Sequence, residues 1–408
     1  MPIYSNSHKI INDPIYGLIP IPGGVAYEII NHPWFQRLRR IRQLGLTHLV
    51  YPGACHTRFQ HTLGSVYLLQ EALDVLRDKG IDITVDEAEG TVLAILLHDM
   101  GHGPFSHALE GIFFEKENHE AISLHYMHEL NKQYEGSLDK AIQIFTNTYH
   151  KKFLHQLVSS QLDTDRLDYL KRDSFFTGVS EGVISTDRII KMLNVTNDKI
   201  VVDQKGIYSI EKFLIARRLM YWQVYLHKTV VSAEQTLRHI IIRVKELARN
   251  NADYFSTPSL KFFFDNNPIL NSNSLHYFSM IDDGDVLSSI KVWSTHSDRV
   301  LNYLSNAILN RKLMRVKISN QPFDINLVND LKRRTSEFMK ISFEEARYLV
   351  VSNTLSNNTY HPFNDEITIL FKDGQTQNII EASDMFNHAT MSKTVLKYYL
   401  CYPKELDN

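Results

Sequence analysis

The chain has 408 residues, 43% hydrophobic and 22% charged, which excludes wholesale disorder and sets an expectation of roughly two to three domains. Forty-four basic against 46 acidic side chains leave −2, so neither strong nucleic-acid binding nor attraction to anionic lipid is expected. The longest strictly apolar run is Val92–Leu97, far below the roughly 20 residues of a membrane helix, and Cys55 and Cys401 are too few for a disulfide framework. With no apolar leader in MPIYSNSHKI, a soluble, cytoplasmic protein is expected. Histidine departs from the ordinary: nineteen are present, and His48, His56, His61, His98, His102, His107, His119, His125 and His128 crowd one stretch.

Along the chain, Pro33 opens a helix whose positions Phe35, Leu38, Ile41 and Leu44 keep the helical period to Gly45. Phe59, Leu63, Val66, Leu69, Leu73 and Leu76 stripe a second helix, closed by Lys79-Gly80. Thr84-Val85-Asp86-Glu87 is a capping box opening a third, which carries Val92–Leu97 and stops at Gly101. Further helices are predicted around 118–134, 154–172 and 210–249. After Asn250, Asn-rich and Pro-containing segments interrupt the helical period, and a β-hairpin is predicted about Asp373-Gly374. The fold class expected is mainly α: a helical region over 1–255 and a smaller α+β region over 256–408.

The strongest local signal is the segment from Ala94 to His107. His98-Asp99 ends an apolar helical run, where a buried imidazole and carboxylate call for a partner such as a divalent cation. Gly101, Gly103 and Pro104 then let His102 and His107 turn toward the same space. A lone His-Asp doublet is more simply a core histidine beside a capping aspartate, and it is the upstream and downstream segments that favour the metal reading. Upstream, Arg58 and His61 stand one helical turn apart; downstream, Asp165, Tyr169 and Asp173 recur at fourth-residue spacing as a polar stripe. His61, His98, Asp99 and Asp165 make an N₂O₂ donor set suited to Mn²⁺, Fe²⁺ or Mg²⁺, with Zn²⁺ also compatible. Arg217, Tyr221, Tyr225 and Lys228 form one stripe, suited to a phosphate-bearing, stackable ligand or to an ordinary amphipathic surface. Arg37, Arg39, Arg40 and Arg42 read mostly as a solvated helix face.

The motifs HTRFQHTLG, LLHDMGHGPFSH and DTDRLDYLKRD, in this order, resemble the HD-domain phosphohydrolases, and within them the deoxynucleoside triphosphate triphosphohydrolases. The resemblance runs from Ile11 to about Lys228. It implies an HD-domain helical core with His61, His98, Asp99 and Asp165 as metal ligands, and a second Mg²⁺ arriving with substrate. It makes His102, His107 and His119 the lining of a phosphate channel, with His107 the proton donor to the leaving oxygen and Glu110 or Glu120 an acidic partner of those rings. Arg58 and Arg166 match phosphate contacts; Gln43, Leu44, Tyr169, Asp173, Arg217 and Tyr225 match residues around the nucleotide, and Tyr221 replaces a histidine there. Asn31, Gln36, Arg39, Arg311 and Arg315 match a nucleotide effector site between subunits, Asn31 standing where the family has an acidic, guanine-reading residue. A homo-oligomer, dimer or tetramer, is implied, with the C-terminal region taking part.

The expected reaction is metal-dependent hydrolysis of a dNTP to deoxynucleoside and triphosphate. The same donor set would serve a phosphodiesterase or nucleotidase acting on another nucleotide, and a third reading is a nucleotide-sensing assembly without turnover.

Overall fold

A short hairpin, β1 (Ile10–Asp13) and β2 (Gly17–Pro20), comes first, with Gly17 at φ +73° closing its turn. The structure, a computed structural model, describes residues 9–357, 366–386 and 395–407. Helices α1 (Gly24–Asn31) and α2 (Pro33–Gln36) follow, and α2 passes into a 3₁₀ turn over Arg37–Arg40. Phe35, Leu38 and Ile41 are spaced by three, which is also the 3₁₀ repeat, and all three are fully buried. The single helix expected to Gly45 therefore does not form: Ile41 is extended, and Arg42 bridges Thr57 across the chain.

Helices α3 (Arg58–Asp78) and α4 (Val85–Leu97) follow their stripes and caps. Thr84 N–H donates to Glu87 Oε2 at 2.8 Å, and Glu87 N–H donates back to Thr84 Oγ1 at 3.2 Å. The helix ends at Leu97, before Gly101, and Ser123 holds the turn that follows: its Oγ donates to His98 O and accepts from Gly101 N–H. Then come α5 (His119–Gln133), α6 (Asp139–Phe145), α7 (Lys152–Val158) and α8 (Thr164–Thr177). The helix expected over 154–172 divides because Asp163 caps α8, accepting Arg166 N–H at 2.7 Å and Ser160 N–H at 2.8 Å. After α9 (Thr186–Met192) and the pair β3 (Leu193–Thr196) and β4 (Lys199–Asp203), the segment expected as one helix over 210–249 is also divided. It comprises α10 (Ile207–Met220), a π turn over Tyr221–Tyr225, and α11 (Lys228–Arg249), whose first turn is capped by the His227 side chain. Lys228 thus starts a new helix, exposed, and does not continue the Arg217–Tyr225 stripe.

Among the described residues, the remainder holds α12 (Pro258–Asp265), α13 (Ser272–Ser279), α14 (Asp283–Trp293), α15 (Arg299–Leu309), α16 (Ile325–Met339) and α17 (Ile379–Ala382), with five short strands. β5 (Arg315–Ser319), β9 (Val395–Tyr402) and β6 (Val351–Asn357) form an antiparallel sheet in that order. β7 (Thr368–Leu370) and β8 (Thr376–Asn378) are the hairpin predicted about Asp373-Gly374. β7 runs parallel to β4, Val201 facing Thr368, so a late strand completes a sheet begun far upstream. One apolar core joins residues from Ile19 to Ile380, on both sides of residue 255, and α11 packs along α15 within it. The fold is mainly α with a smaller α+β part, and no helix among the described residues is long and apolar enough to cross a membrane.

Arg37 departs from the solvated face expected of its neighbours. Its guanidinium is fully buried and donates to three carbonyls, Ile281 O at 2.7 Å, His102 O at 2.9 Å and Met100 O at 3.4 Å. Arg40, by contrast, is half exposed beside Asp282. An Arg37→Lys variant keeps the charge but cannot span three acceptors, so a stability loss of about 3 kcal/mol is expected. A fall in the urea midpoint at unchanged slope checks it; the parent's midpoint would refute it.

Candidate active site

Three helices bring the predicted donor set to one point. Asp165 Oδ1, on the first turn of α8, lies 2.9 Å from His61 Nε2 of α3 and 3.5 Å from His98 Nε2 at the end of α4. The Asp99 oxygens lie 3.7 Å and 3.4 Å from the same two nitrogens. Each ring is fixed from behind. His61 Nδ1 is 2.7 Å from Asp168 Oδ2, and His98 Nδ1 donates to Ile95 O at 2.6 Å. A carbonyl only accepts, so the His98 Nδ1 carries a proton, and Nε2 is the nitrogen turned toward the carboxylates. Neither Nε2 has a hydrogen-bond partner, although both are buried. Two orphaned imidazole nitrogens facing carboxylates form the donor pattern of a divalent cation: His61, His98 and Asp99 lie close enough together to hold one, with Asp165 Oδ1 beside both imidazoles.

The helices approach this closely because Gly64 has no side chain. A Cβ there would stand 2.0 Å from Asp168 Oδ1 and 2.3 Å from Arg172 Nη2. Charge balance is equally tight. Burial works against the Asp99 carboxylate, yet Arg58, His98 and His102 hold it well below the usual range. Arg58 Nη1 donates to Asp99 Oδ2 at 2.6 Å and its Nε to Ser106 Oγ at 2.9 Å. Burial opposes a charged His61 too, but the Asp165 and Asp168 carboxylates beside its two nitrogens push it up to about 10.

A second cluster adjoins the first. The His102 and His119 rings stack with centroids 4.0 Å apart, and His107 stands edge-on to both. Glu110 ties two of them, His119 Nδ1 at 2.7 Å and His107 Nδ1 at 3.0 Å, and these contacts draw its carboxyl far below the usual range. Burial, with Arg58 and His119 nearby, holds His102 well below the ordinary imidazole value and therefore neutral. The loop that carries them turns through Phe105 and Ser106, both at positive φ (54° and 51°), a conformation costly for either residue. Asp283, at the start of α14, holds it there: it accepts Phe105 N–H at 2.7 Å and Arg42 N–H at 3.0 Å.

Above the donor set, Tyr169 lies 6.5 Å from His61, Tyr225 lies 6.3 Å from Tyr169, and Tyr221 lies 5.2 Å from Tyr225, centroid to centroid. Tyr225 OH donates to Asp173 Oδ2 at 2.7 Å, and His56 Nε2 holds the other oxygen at 2.7 Å. Arg217 is buried and donates to Gln161, while Arg166 pairs with Asp163 at its own helix cap. Gln43 Oε1 is buried without a partner, and Leu44 is half buried beside it.

The expected effector residues fall into two groups. Gln36 Nε2 donates to Ile30 O, Arg39 Nε donates to Gln36 Oε1, and Asn31 is exposed nearby in sequence. The Arg39 guanidinium covers the Phe59 ring and lines a cavity of about 310 Å³ with Asn12, Asp13 and Gln60. Arg311 bonds Leu49 O and Arg315 pairs with Asp407, so among the described residues neither is bonded to the first group. Of the crowded histidines, His125 and His128 lie along α5 and join neither cluster. Sequence reasoning counted His56 among the crowded histidines without giving it a role, and did not single out Asp168, Arg172 or Asp283. The nearest signal for Asp168 was its place in DTDRLDYLKRD, three residues past Asp165.

Residues 58–173 match the HD domain family and residues 184–256 the HD associated region. A crystal structure of a phosphohydrolase from Bacteroides thetaiotaomicron superposes with a TM-score of 0.94 at 51% identity, covering 97% of this chain and 99% of that one. The chain belongs to the HD-domain phosphohydrolases. It is 31% identical over 98% of its length to the uncharacterised protein YwfO of Bacillus subtilis, of which it covers 93%. It is also 30% identical to the human protein named deoxynucleoside triphosphate triphosphohydrolase SAMHD1, over 55% of this chain and 43% of that one. As an HD phosphohydrolase it is a metal-dependent enzyme, and it carries a His/Asp cluster that could hold a metal ion.

A cation at this site competes with the proton on His61, so binding below about pH 10 must expel it. Lowering the pH therefore weakens apparent metal affinity, and at pH 7 at least one proton is released per ion bound. Calorimetry of Mn²⁺ binding in buffers of different ionisation enthalpy measures the number; zero release would refute the arrangement.

Proposed function

We propose that the protein hydrolyses deoxynucleoside triphosphates to deoxynucleosides and triphosphate. The observation that carries this reading is the pair of buried, unpartnered Nε2 atoms facing Asp99 and Asp165 beneath a cationic and aromatic cleft. The relatives named as deoxynucleoside triphosphate triphosphohydrolases support the choice of substrate. His61, His98, Asp99 and Asp165 would hold a divalent cation, which would supply Lewis acidity at the α-phosphate. Arg58, Arg166, His102 and His119 neutralise the polyphosphate, while Tyr169, Tyr221, Tyr225, Asp173, Arg217, Gln43 and Leu44 surround base and sugar. Water attacks the α-phosphorus, the bond to the 5′ oxygen breaks, and His107, oriented by Glu110, gives that oxygen its proton. Assembly as a dimer or tetramer, and a nucleotide effector beside Asn31, Gln36 and Arg39, belong to the same proposal.

Incubation of the protein with each dNTP and Mn²⁺ or Mg²⁺ should yield triphosphate on anion exchange. Release of pyrophosphate or a monophosphate instead would overturn the reaction assigned. Asp165→Ala and His98→Ala should lose bound metal by elemental analysis, and turnover with it, while keeping the helical circular dichroism; full metal occupancy in both would remove these residues from the site.

His107→Gln keeps a polar side chain of similar reach without a titratable ring. Its kcat should fall about 10²–10⁴-fold with metal content and melting temperature unchanged. A kcat equal to the parent's would exclude His107 as the acid.

A further inference from the structure

Behind His61 the hydrogen bonds do not stop at Asp168. Arg172 grips that carboxylate with two donors, Nε to Oδ2 at 2.9 Å and Nη2 to Oδ1 at 3.0 Å. Its third nitrogen, Nη1, reaches Asp13 Oδ2 at 2.8 Å, and Asp13 is the last residue of β1. Asp13 Oδ1 accepts the backbone N–H groups of Ile15 and Tyr16 and so shapes the hairpin turn as well. His61, Asp168 and Arg172 have no exposed surface, and Asp13 has almost none. The result is a dry row of alternating charge, Asp13, Arg172, Asp168, ending on the Nδ1 side of an imidazole whose Nε2 has no partner.

The alternation matters. A lone arginine beside Asp168 would draw that carboxylate's charge away from His61. With Asp13 on its far side, Arg172 is neutralised, and Asp168 keeps its acceptor strength toward Nδ1–H, which makes Nε2 a better donor. We propose that Asp13 and Arg172 are positioning residues of the metal centre: through Asp168 they set the orientation and donor strength of His61. The β1–β2 hairpin is then part of the centre's outer shell, although it contributes no ligand. This inference rests on His61 being a metal ligand.

The test uses Mn²⁺ alone, titrated calorimetrically into the full chain. Asp13→Asn suits it because the asparagine oxygen still accepts Ile15 and Tyr16 N–H, so the turn survives, while the negative charge on Arg172 is gone. Arg172→Lys keeps the charge but cannot bridge two carboxylates. Each should raise the Mn²⁺ Kd about tenfold and reduce the metal-induced rise in melting temperature. Trp293→Phe, a buried change that loses the indole hydrogen bond to Phe255 O, controls for general loosening and should leave Kd unchanged. Asp165→Ala separates the two readings: if it binds Mn²⁺ as the parent does, the ligand assignment fails. If it does not bind, and either Asp13→Asn or Arg172→Lys retains the parent's Kd, the relay is overturned. A Kd raised equally by Trp293→Phe overturns it as well. Should Asp13→Asn not fold, Arg172→Lys decides alone.

Discussion

The close contact of α3 and α8 at Gly64 is the constraint on which the site depends. It sets His61 between Asp165 and Asp168, one carboxylate before each ring nitrogen. Helix packing usually leaves 8–10 Å between axes, with side chains filling the gap. Here a glycine removes the side chain at the crossing, and a carboxylate and a guanidinium occupy its place. Everything else in the centre is arranged around that crossing: α4 delivers His98 and Asp99 from one side, and the cap of α8 presents Asp165 on its first turn.

Such a crossing is only stable if its charges cancel. Asp99, Asp165 and Asp168 are drawn into a region with little water, a costly step for each. Arg58 answers Asp99, Arg172 answers Asp168, and the two unpartnered imidazole nitrogens leave Asp165 facing a place for positive charge. The histidine cluster beyond is balanced differently, through Glu110. The two halves of the site therefore differ in kind: one sets carboxylates against arginines and imidazole nitrogens, the other gathers three imidazoles about one carboxylate.

Much of this was legible in the sequence, for identifiable reasons. Thr84 and Glu87 form a reciprocal cap within four residues, so no distant partner is needed to predict it. His61 and Asp165 were readable because each sits on a helix with an apolar stripe, and His98-Asp99 because it directly follows the apolar run Val92–Leu97 that ends α4. Arg37 was not readable: whether an arginine is solvated or buried depends on carbonyls at Met100, His102 and Ile281, which no local pattern announces. The 3₁₀ turn after α2 escaped because positions spaced by three fit both helical repeats. The π turn at Tyr221–Tyr225 escaped for a related reason, since one extra residue per turn leaves composition unchanged. Asp168, Arg172 and Asp13 form a chain of partners 159 residues apart at its widest, which spacing arguments do not reach.

Asp283 has a consequence for how the molecule is made. A ribosome adds residues from the N-terminus, and the loop with His102 and His107 is finished long before the carboxylate that pins it. Phe105 N–H waits for an acceptor 178 residues further along, and the Arg37 guanidinium for Ile281, 244 residues on. At about 5–20 residues per second, the interval between the two lasts many seconds. During it His61, His98, Asp99 and Asp165 are all synthesised, while the turn at Phe105 and Ser106 still lacks the Asp283 carboxylate that accepts Phe105 N–H. The strained turn is thus completed by a carboxylate made long after the buried His/Asp cluster beside it.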